Sequence, residues 1–258
     1  MSPLSRPIGW WVPELRSLIA VARLLRFSLH VLFGLLLIKL RFGVLDKAAR
    51  QAHIQRWSRQ MLSILGAQMT VQGQAKTGPK LVVANHVSWL DIAAVHAVLP
   101  EARFVSKADV RHWPVVGLLV EGVGTLFIER ASKRDALRVV HQTAEALKAG
   151  DTVAVFPEGT TGAGPELLPF HGNLLQAAIS TEIPLQPLVL RWFEPGERFS
   201  SSACFIGDTS LVQSLWRVAS ARGLGVQVQI LPAMGTAHAD RRALAEHLRD
   251  VIGQGLAG

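Results

Sequence analysis

The chain is poor in the residues that hold a fold together by covalent or metal bonds. It has one cysteine, Cys204, in 258 residues. No intramolecular disulfide can form, and no Cys/His set has zinc spacing, which fits a reducing compartment and argues against a metal scaffold. Charged residues are scarce at 18% against 49% hydrophobic, a balance that excludes disorder and supplies a sizeable core. A Gly-x-Ser-x-Gly elbow is missing, so a hydrolase-like Ser–His–Asp triad has no obvious serine. Internal repeats, low-complexity tracts and long linkers are missing too.

Acidic residues are scarcest at the start. Residues 1–60 carry ten Lys and Arg against two acids, and the remaining 198 carry 17 of each sign, so the whole net charge of +8 lies in the first segment. A nucleic-acid binder spreads its cations over a folded face, whereas here they interrupt the most apolar part of the chain. The membrane surface is the better partner, and nucleic acid is not expected.

From Leu18 to Ile38 the sequence is almost entirely apolar, with Arg23 and Arg26 inside it. The clean stretch Phe27–Ile38 makes about 18 Å of helix, short of a hydrocarbon core of roughly 30 Å. The reading is a monotopic or re-entrant anchor, or a single-pass helix whose arginines snorkel to one interface. Lys39-Leu40-Arg41 stands where a cleavage site would be needed, so the anchor is expected to be retained. Asp46–Leu65 reads as an amphipathic basic helix, with His53, Trp57 and Met61 near one face. Trp10, Trp11 and Trp57 flank the apolar run, where indoles prefer the lipid headgroup level. Ordinary helices of a soluble bundle are the alternative.

After a turn-like segment, Gln72–Pro79, short strands alternate with helices. Leu81–Ala84, Arg103–Val105, Thr125–Ile128, Thr152–Phe156, Pro184–Leu190 and Val226–Leu231 read as strands. Trp89–Leu99, Arg134–Lys148 and Asp240–Ile252 read as helices, and Pro184 and Pro187 suggest an edge strand. The expected class is α/β, a mixed sheet flanked by helices with an N-terminal membrane-associated helical motif. The division is 1–70 for the anchoring helices and 71–258 for the α/β domain.

Asn85-His86-Val87-Ser88-Trp89-Leu90-Asp91 follows the first of these strands directly. On one ideal helix a His and an Asp five apart point about 140° from each other. They meet only if His86 lies on the turn and Asp91 in the first turn of the helix. There an imidazole takes a proton from a hydroxyl while the carboxylate fixes its tautomer. Ser88 and Asp91 equally fit a helix cap, with His86 a hydrogen-bonded turn residue.

Three more segments follow in order: Gly124-Thr125-Leu126-Phe127-Ile128-Glu129-Arg130, Phe156-Pro157-Glu158-Gly159-Thr160-Thr161, and Ile183-Pro184-Leu185-Gln186-Pro187-Leu188-Val189. Together the four resemble the glycerolipid acyltransferase family typified by bacterial 1-acylglycerol-3-phosphate acyltransferase, over about residues 80–190. The resemblance implies transfer of a fatty acyl group from a thioester of acyl carrier protein or coenzyme A to a lysolipid hydroxyl. It implies no cofactor beyond that thioester and no metal. His86 matches the family's general base, Asp91 its orienting acid and Lys107 a lysine near the oxyanion. Arg130, Glu158, Gly159 and Thr160 match positions around the acceptor head group and cleft. The implied location is the cytoplasmic face of a bacterial inner membrane, with anionic lipid beside the basic anchor.

The expected acceptor is 1-acylglycerol-3-phosphate. Many family members with phosphate acceptors carry arginine where this chain has Thr161, and the Thr-Thr version with Leu168-Pro169-Phe170 also resembles lyso-ornithine lipid acyltransferases. A thioesterase and a catalytically silent membrane-binding protein are the other classes considered.

Overall fold

A computed structural model describes residues 12–128 and 133–258, the side chains of 12–14, 128, 133, 134 and 136 excepted. Two helices open it, α1 (Val12–Arg41) and α2 (Lys47–Ile64), the second capped by Asp46, whose carboxylate accepts the N–H of Ala49. Strands β1 (Gln68–Gln72) and β2 (Lys80–Ala84) lead into α3 (Leu90–Val98) and β3 (Ala102–Lys107). A 3₁₀ turn (Ala108–His112) and α4 (Val116–Gly122) precede β4 (Leu126–Ile128) and α5 (Lys133–Lys148). Then come β5 (Thr152–Val155), α6 (Leu175–Thr181), β6 (Leu185–Phe193), α7 (Leu211–Ser220), β7 (Gly225–Ile230) and α8 (Arg241–Ala257).

The sheet has seven strands in the order β1-β7-β6-β2-β5-β3-β4. Strands β2 to β6 are mutually parallel, β7 runs antiparallel to β6, and β1 pairs parallel with β7. The fold is therefore α/β with a mixed sheet. Alternation along β2 splits the core: Val82 and Ala84 join α2, α3 and α7 on one face, Leu81 and Val83 join α5, α6 and α8 on the other. A strand buried on both faces reads as a continuous apolar run, which is how Leu81–Ala84 looks, while the buried Lys80 before it is paired with Glu101.

Four expectations change. Gln68–Gln72 is a strand, and its alternation was hidden because it is an exposed edge with polar side chains. Pro187 lies in the interior of the sheet, between β2 and β7, and not on an edge. Its carbonyl accepts the Leu231 N–H at 3.0 Å, and the return bond that proline cannot make is supplied by the side chain of Gln186, whose Nε2 donates to the Leu231 carbonyl at 2.7 Å. Arg23 does not snorkel. It donates to the carbonyls of Ala219 and Ala221 at 2.8 and 2.9 Å, a cation on the carbonyl end of α7. Trp57 packs between helices: Nε1 donates to the His30 carbonyl, the His30 ring bonds the Trp57 carbonyl, and the two rings stack at 4.9 Å. Trp10 and Trp11 lie outside the described residues.

Among the described residues the outer side of α1 has no such partners. Leu18, Leu25, Leu29 and Leu40 are each more than 60% exposed. By length and composition Leu15–Arg41 is able to cross a membrane, and 6% of its most apolar window is buried, unlike the core helix of a soluble protein.

Candidate active site

The catalytic candidates gather at the carboxyl ends of β2 and β5, where open parallel sheets bind their ligands. As β2 ends, the side chain of Asn85 takes over its pairing with β6: Nδ2 donates to the Leu190 carbonyl at 2.9 Å and Oδ1 accepts the Leu190 N–H at 2.8 Å. That substitution of side chain for backbone frees the main chain to peel off into the turn that holds His86.

Asp91, fully buried in the first turn of α3, closes the turn around itself. Its Oδ2 accepts the N–H groups of Val87 and Ser88 at 2.7 and 2.8 Å and faces His86 Nδ1 at 2.9 Å, while Oδ1 accepts the Trp192 indole N–H at 2.6 Å. An ionised carboxylate only accepts, so Nδ1 carries the proton and the neutral ring keeps its lone pair on Nε2. Among the described residues Nε2 has no hydrogen-bond partner. The ring is fixed further by stacking on Phe156 at 4.0 Å and 8°, and Phe156 stacks on Phe104 at 5.6 Å. The spacing indicated both a cap and a proton-transfer pair. The carboxylate serves the turn and the imidazole at once.

Glu158, on the loop after β5, is buried. Its Oε1 accepts the His86 N–H at 2.7 Å and its Oε2 the Leu168 N–H at 3.0 Å. Burial pushes this carboxyl above the usual carboxylate range, against the pull of the two N–H donors. With both oxygens engaged by backbone, Glu158 joins the loop to the histidine turn. Gly159 has φ +71° and closes the turn by donating to the Phe156 carbonyl at 3.1 Å, a conformation that favours glycine. Thr160 is exposed on that loop. Thr161 faces inward: its hydroxyl donates to the Phe205 carbonyl, and the Phe205 N–H bonds the Val87 carbonyl. The position that the sequence suggested for a head-group contact is thus part of the scaffold.

Lys107 is exposed at the end of β3 and has no hydrogen-bond or ion-pair partner among the described residues. Alternation gives it the parity of Val105, which packs on the α5 side, and not that of Phe104. Arg130 lies outside the described residues. Two residues that sequence reasoning missed, Trp192 and Asn85, act through partners about a hundred positions away; an asparagine directly after a buried strand was the one signal available.

Beside α3 lies an apolar cavity of about 380 Å³, bounded by α1, α2, α4 and α7, with Phe27, Trp57, Trp89, Ile92 and Leu119 among its walls. Trp89 connects it to the site, since it sits two residues before Asp91, donates to Ser214 Oγ at 3.0 Å and meets the Phe27 ring edge-on at 6.1 Å.

An oriented imidazole beside an apolar cavity on a helix-flanked sheet is an arrangement able to take a proton from a hydroxyl close to an aliphatic group. Residues 68–191 match the family model described as Acyltransferase. The lyso-ornithine lipid O-acyltransferase of Pseudomonas aeruginosa is 36% identical over 209 residues, covering 81% of this chain and 80% of that one. The 1-acyl-sn-glycerol-3-phosphate acyltransferase of Neisseria meningitidis is 37% identical over 174 residues, 67% of each. The crystal structure of the Thermotoga maritima 1-acyl-sn-glycerophosphate acyltransferase superposes with a TM-score of 0.74 over 95% of this chain and 96% of that one, at 20% identity. The chain belongs to the acyltransferase family, its relatives are named as lysolipid O-acyltransferases, and its apolar N-terminal helix suits membrane association.

Proposed function

We propose that the protein transfers a fatty acyl group from a thioester of acyl carrier protein or coenzyme A to the free hydroxyl of 1-acylglycerol-3-phosphate, giving phosphatidic acid, with His86 as general base. The observation that carries this reading is the His86–Asp91 pair, in which Asp91 Oδ2 engages Nδ1 at 2.9 Å and leaves Nε2 as the nitrogen that can accept a proton. Nε2 takes the hydroxyl proton as the oxygen attacks the thioester carbonyl; the C–O bond forms, the tetrahedral intermediate collapses with loss of the C–S bond, and the imidazolium returns the proton to the thiolate. Asp91 holds the tautomer and stabilises the imidazolium. Glu158 and Gly159 act as positioning residues for the histidine turn. The 380 Å³ cavity, within the range of small-molecule sites, accommodates an acyl chain. Backbone N–H groups are assigned the main part of the oxyanion contact and Lys107, whose strand parity is that of Val105, a minor one, and Arg130 and Thr160 are assigned to the head group.

A second acceptor, lyso-ornithine lipid, is favoured by one observation: at Thr161 there is a scaffold hydroxyl and no guanidinium for a phosphate. A relative of that name in Brucella abortus, 31% identical, matches across 93% of this chain.

The protein sits at the cytoplasmic face of the bacterial inner membrane in this reading, with α1 lying in the interface. Support comes from the clasps on one side of α1, where Arg23 bonds α7 and Gly34 lies so close to Trp57 that a Cβ would be 2.5 Å from its Nε1. A helix flanked by protein on one side and apolar on the other suits the plane of the headgroup boundary. The test is a detergent-solubilised assay offering both thioesters to lysophosphatidate and lyso-ornithine lipid in parallel. Transfer to lysophosphatidate, lost in His86→Ala, is expected; release of free fatty acid alone would mean a thioesterase, and no turnover of any thioester would mean a silent protein.

A further inference from the structure

Beyond α1, the described residues include a second surface segment rich in apolar and basic side chains, the run from Arg111 to Leu118. Trp113, Val115 and Leu118 are 44, 39 and 62% exposed, and Arg111 and His112 are exposed beside them. None of these three apolar residues belongs to the first sixty.

The segment is held in that posture at a cost. Val115 has φ 68° and ψ −55°, and it is the one β-branched residue with positive φ among the described residues. The Val116 N–H reaches back to the Pro114 carbonyl at 2.7 Å, closing a three-residue turn of the strained hand. Gly117 packs so tightly on the preceding 3₁₀ turn that a Cβ there would stand 2.1 Å from the Arg111 carbonyl oxygen. A β-branched residue in this conformation is strained, and such strain gathers where function needs it. On this turn Trp113 and Val115 are exposed and line the apolar cavity.

The segment is continuous with the apolar face of α1. At Gly122 the helix α4 approaches α1 so closely that a Cβ would be 2.7 Å from Ile38. Leu37 and Ile38 of α1 line the same cavity as Trp113 and Val115. Lys39 and Arg41, exposed at the end of α1, border the patch with positive charge, and Arg111 on the turn is ion-paired with Glu121. Tryptophan, aliphatic side chains and bordering cations make the composition of a membrane-interface element, complementary to an anionic lipid surface.

We propose that Arg111–Leu118 is a second membrane contact, inserted in the interfacial layer beside α1, so that the cavity they both line opens on lipid. The inference rests on the reading that α1 lies in a membrane.

The experiment uses the full chain with Cys204→Ala and a nitroxide spin label on one introduced cysteine, bound to vesicles of phosphatidylethanolamine and phosphatidylglycerol. Labels at Leu118→Cys, at Leu36→Cys on the exposed side of α1, and at Glu246→Cys on α8, across the sheet, report collision with oxygen and with a water-soluble nickel chelate. Vesicles should protect the Leu118 and Leu36 labels from nickel several-fold and leave the Glu246 label unchanged. Protection at Leu36 with full nickel access at Leu118 would overturn the second contact and leave the α1 reading standing; access at both would overturn both. Adding Trp113→Asp to the Leu118 label should raise nickel access toward the Glu246 level. Unchanged protection would show that α1 alone sets the depth, against the proposal. Val115→Gly should raise Tm in detergent by about 2–4 °C, because glycine adopts this φ freely; a fall in Tm would remove the strain argument.

Discussion

The two faces presented by α1 and by the histidine turn are built on opposite rules. Around His86, polar atoms are buried and paired: one carboxylate takes four donors, Glu158 takes two, and Asn85 replaces strand backbone. Along α1 a few polar clasps, Arg23 to α7 and His30 with Trp57, fasten one side, while leucines on the other side are exposed among the described residues. Unsatisfied buried polar groups are expensive and directional, so they fix a geometry to tenths of an ångström. Uncovered apolar area is non-directional and sets only which side faces lipid. Precision belongs to the site and orientation belongs to the helix.

The sharpest break of this contrast is His86→Ala. It leaves Asp91 its other three donors and should lower turnover by about 10²–10⁴-fold, roughly 3–5 kcal/mol of barrier, with Tm nearly unchanged. A purified variant with near-normal turnover would exclude His86 as the base.

Next in size is a pH effect far from proton transfer. His96 is buried with its ring bonded to the Ala102 carbonyl, and burial pushes its pKa down to about 4. The unfolded chain, with an ordinary value near 6.5, binds the proton first, so stability is lost as pH falls from about 6.5 to 4, by up to about 3 kcal/mol. Thermal melts across that window should flatten in His96→Gln; an unaltered slope would assign the acid sensitivity elsewhere.

Asp91→Asn comes third and is less clean than its helix-capping chemistry suggests. Asparagine must turn an amide N–H₂ either toward the Trp192 indole N–H or toward the N–H groups of Val87 and Ser88. Activity should fall together with about 1–3 kcal/mol of stability. Equal Tm with lost activity would mean that the turn tolerates the amide.

Arg23→Met tests the other side of the comparison. It keeps the apolar stem and removes the charged bonds to α7, so about 1–2 kcal/mol of stability and some protease resistance of α1 should go, with turnover per folded molecule retained. Deleting residues 1–60 is a poor substitute, because the packed Phe27 and Trp57 of this segment border the core that Met61 and Leu62 begin. The smallest effect is expected from Lys107→Ala. Its strand parity differs from that of Phe104, and a fall in turnover under about tenfold is anticipated; a loss rivalling that of His86→Ala would place it on the reacting atoms.

Much of this was legible in advance where the physics is local. Alternation and burial marked β2, β5 and β7, helical periodicity marked α2, α3, α5 and α8, and the His86–Asp91 spacing on a strand–turn–helix already indicated proton transfer. Short elements escaped: α4 and α6 have seven residues each, too few to display a period. The capped α7 was also missed, although Ser210 and Gln213 form a capping box that its first residues announce.

By itself the sequence determined the α/β class, the segregation of positive charge into an apolar N-terminal segment, and the candidate base with its orienting acid, because these depend on neighbours within about six positions. Only the tertiary structure decided that Trp192 completes the shell of Asp91, that Glu158 serves the histidine backbone, that Thr161 belongs to the scaffold and that Arg23 clasps α7. Each of those is a hydrogen bond between residues tens to hundreds of positions apart. Such a bond leaves no periodic trace in a single chain, because its geometry exists only once the sheet has brought the partners together.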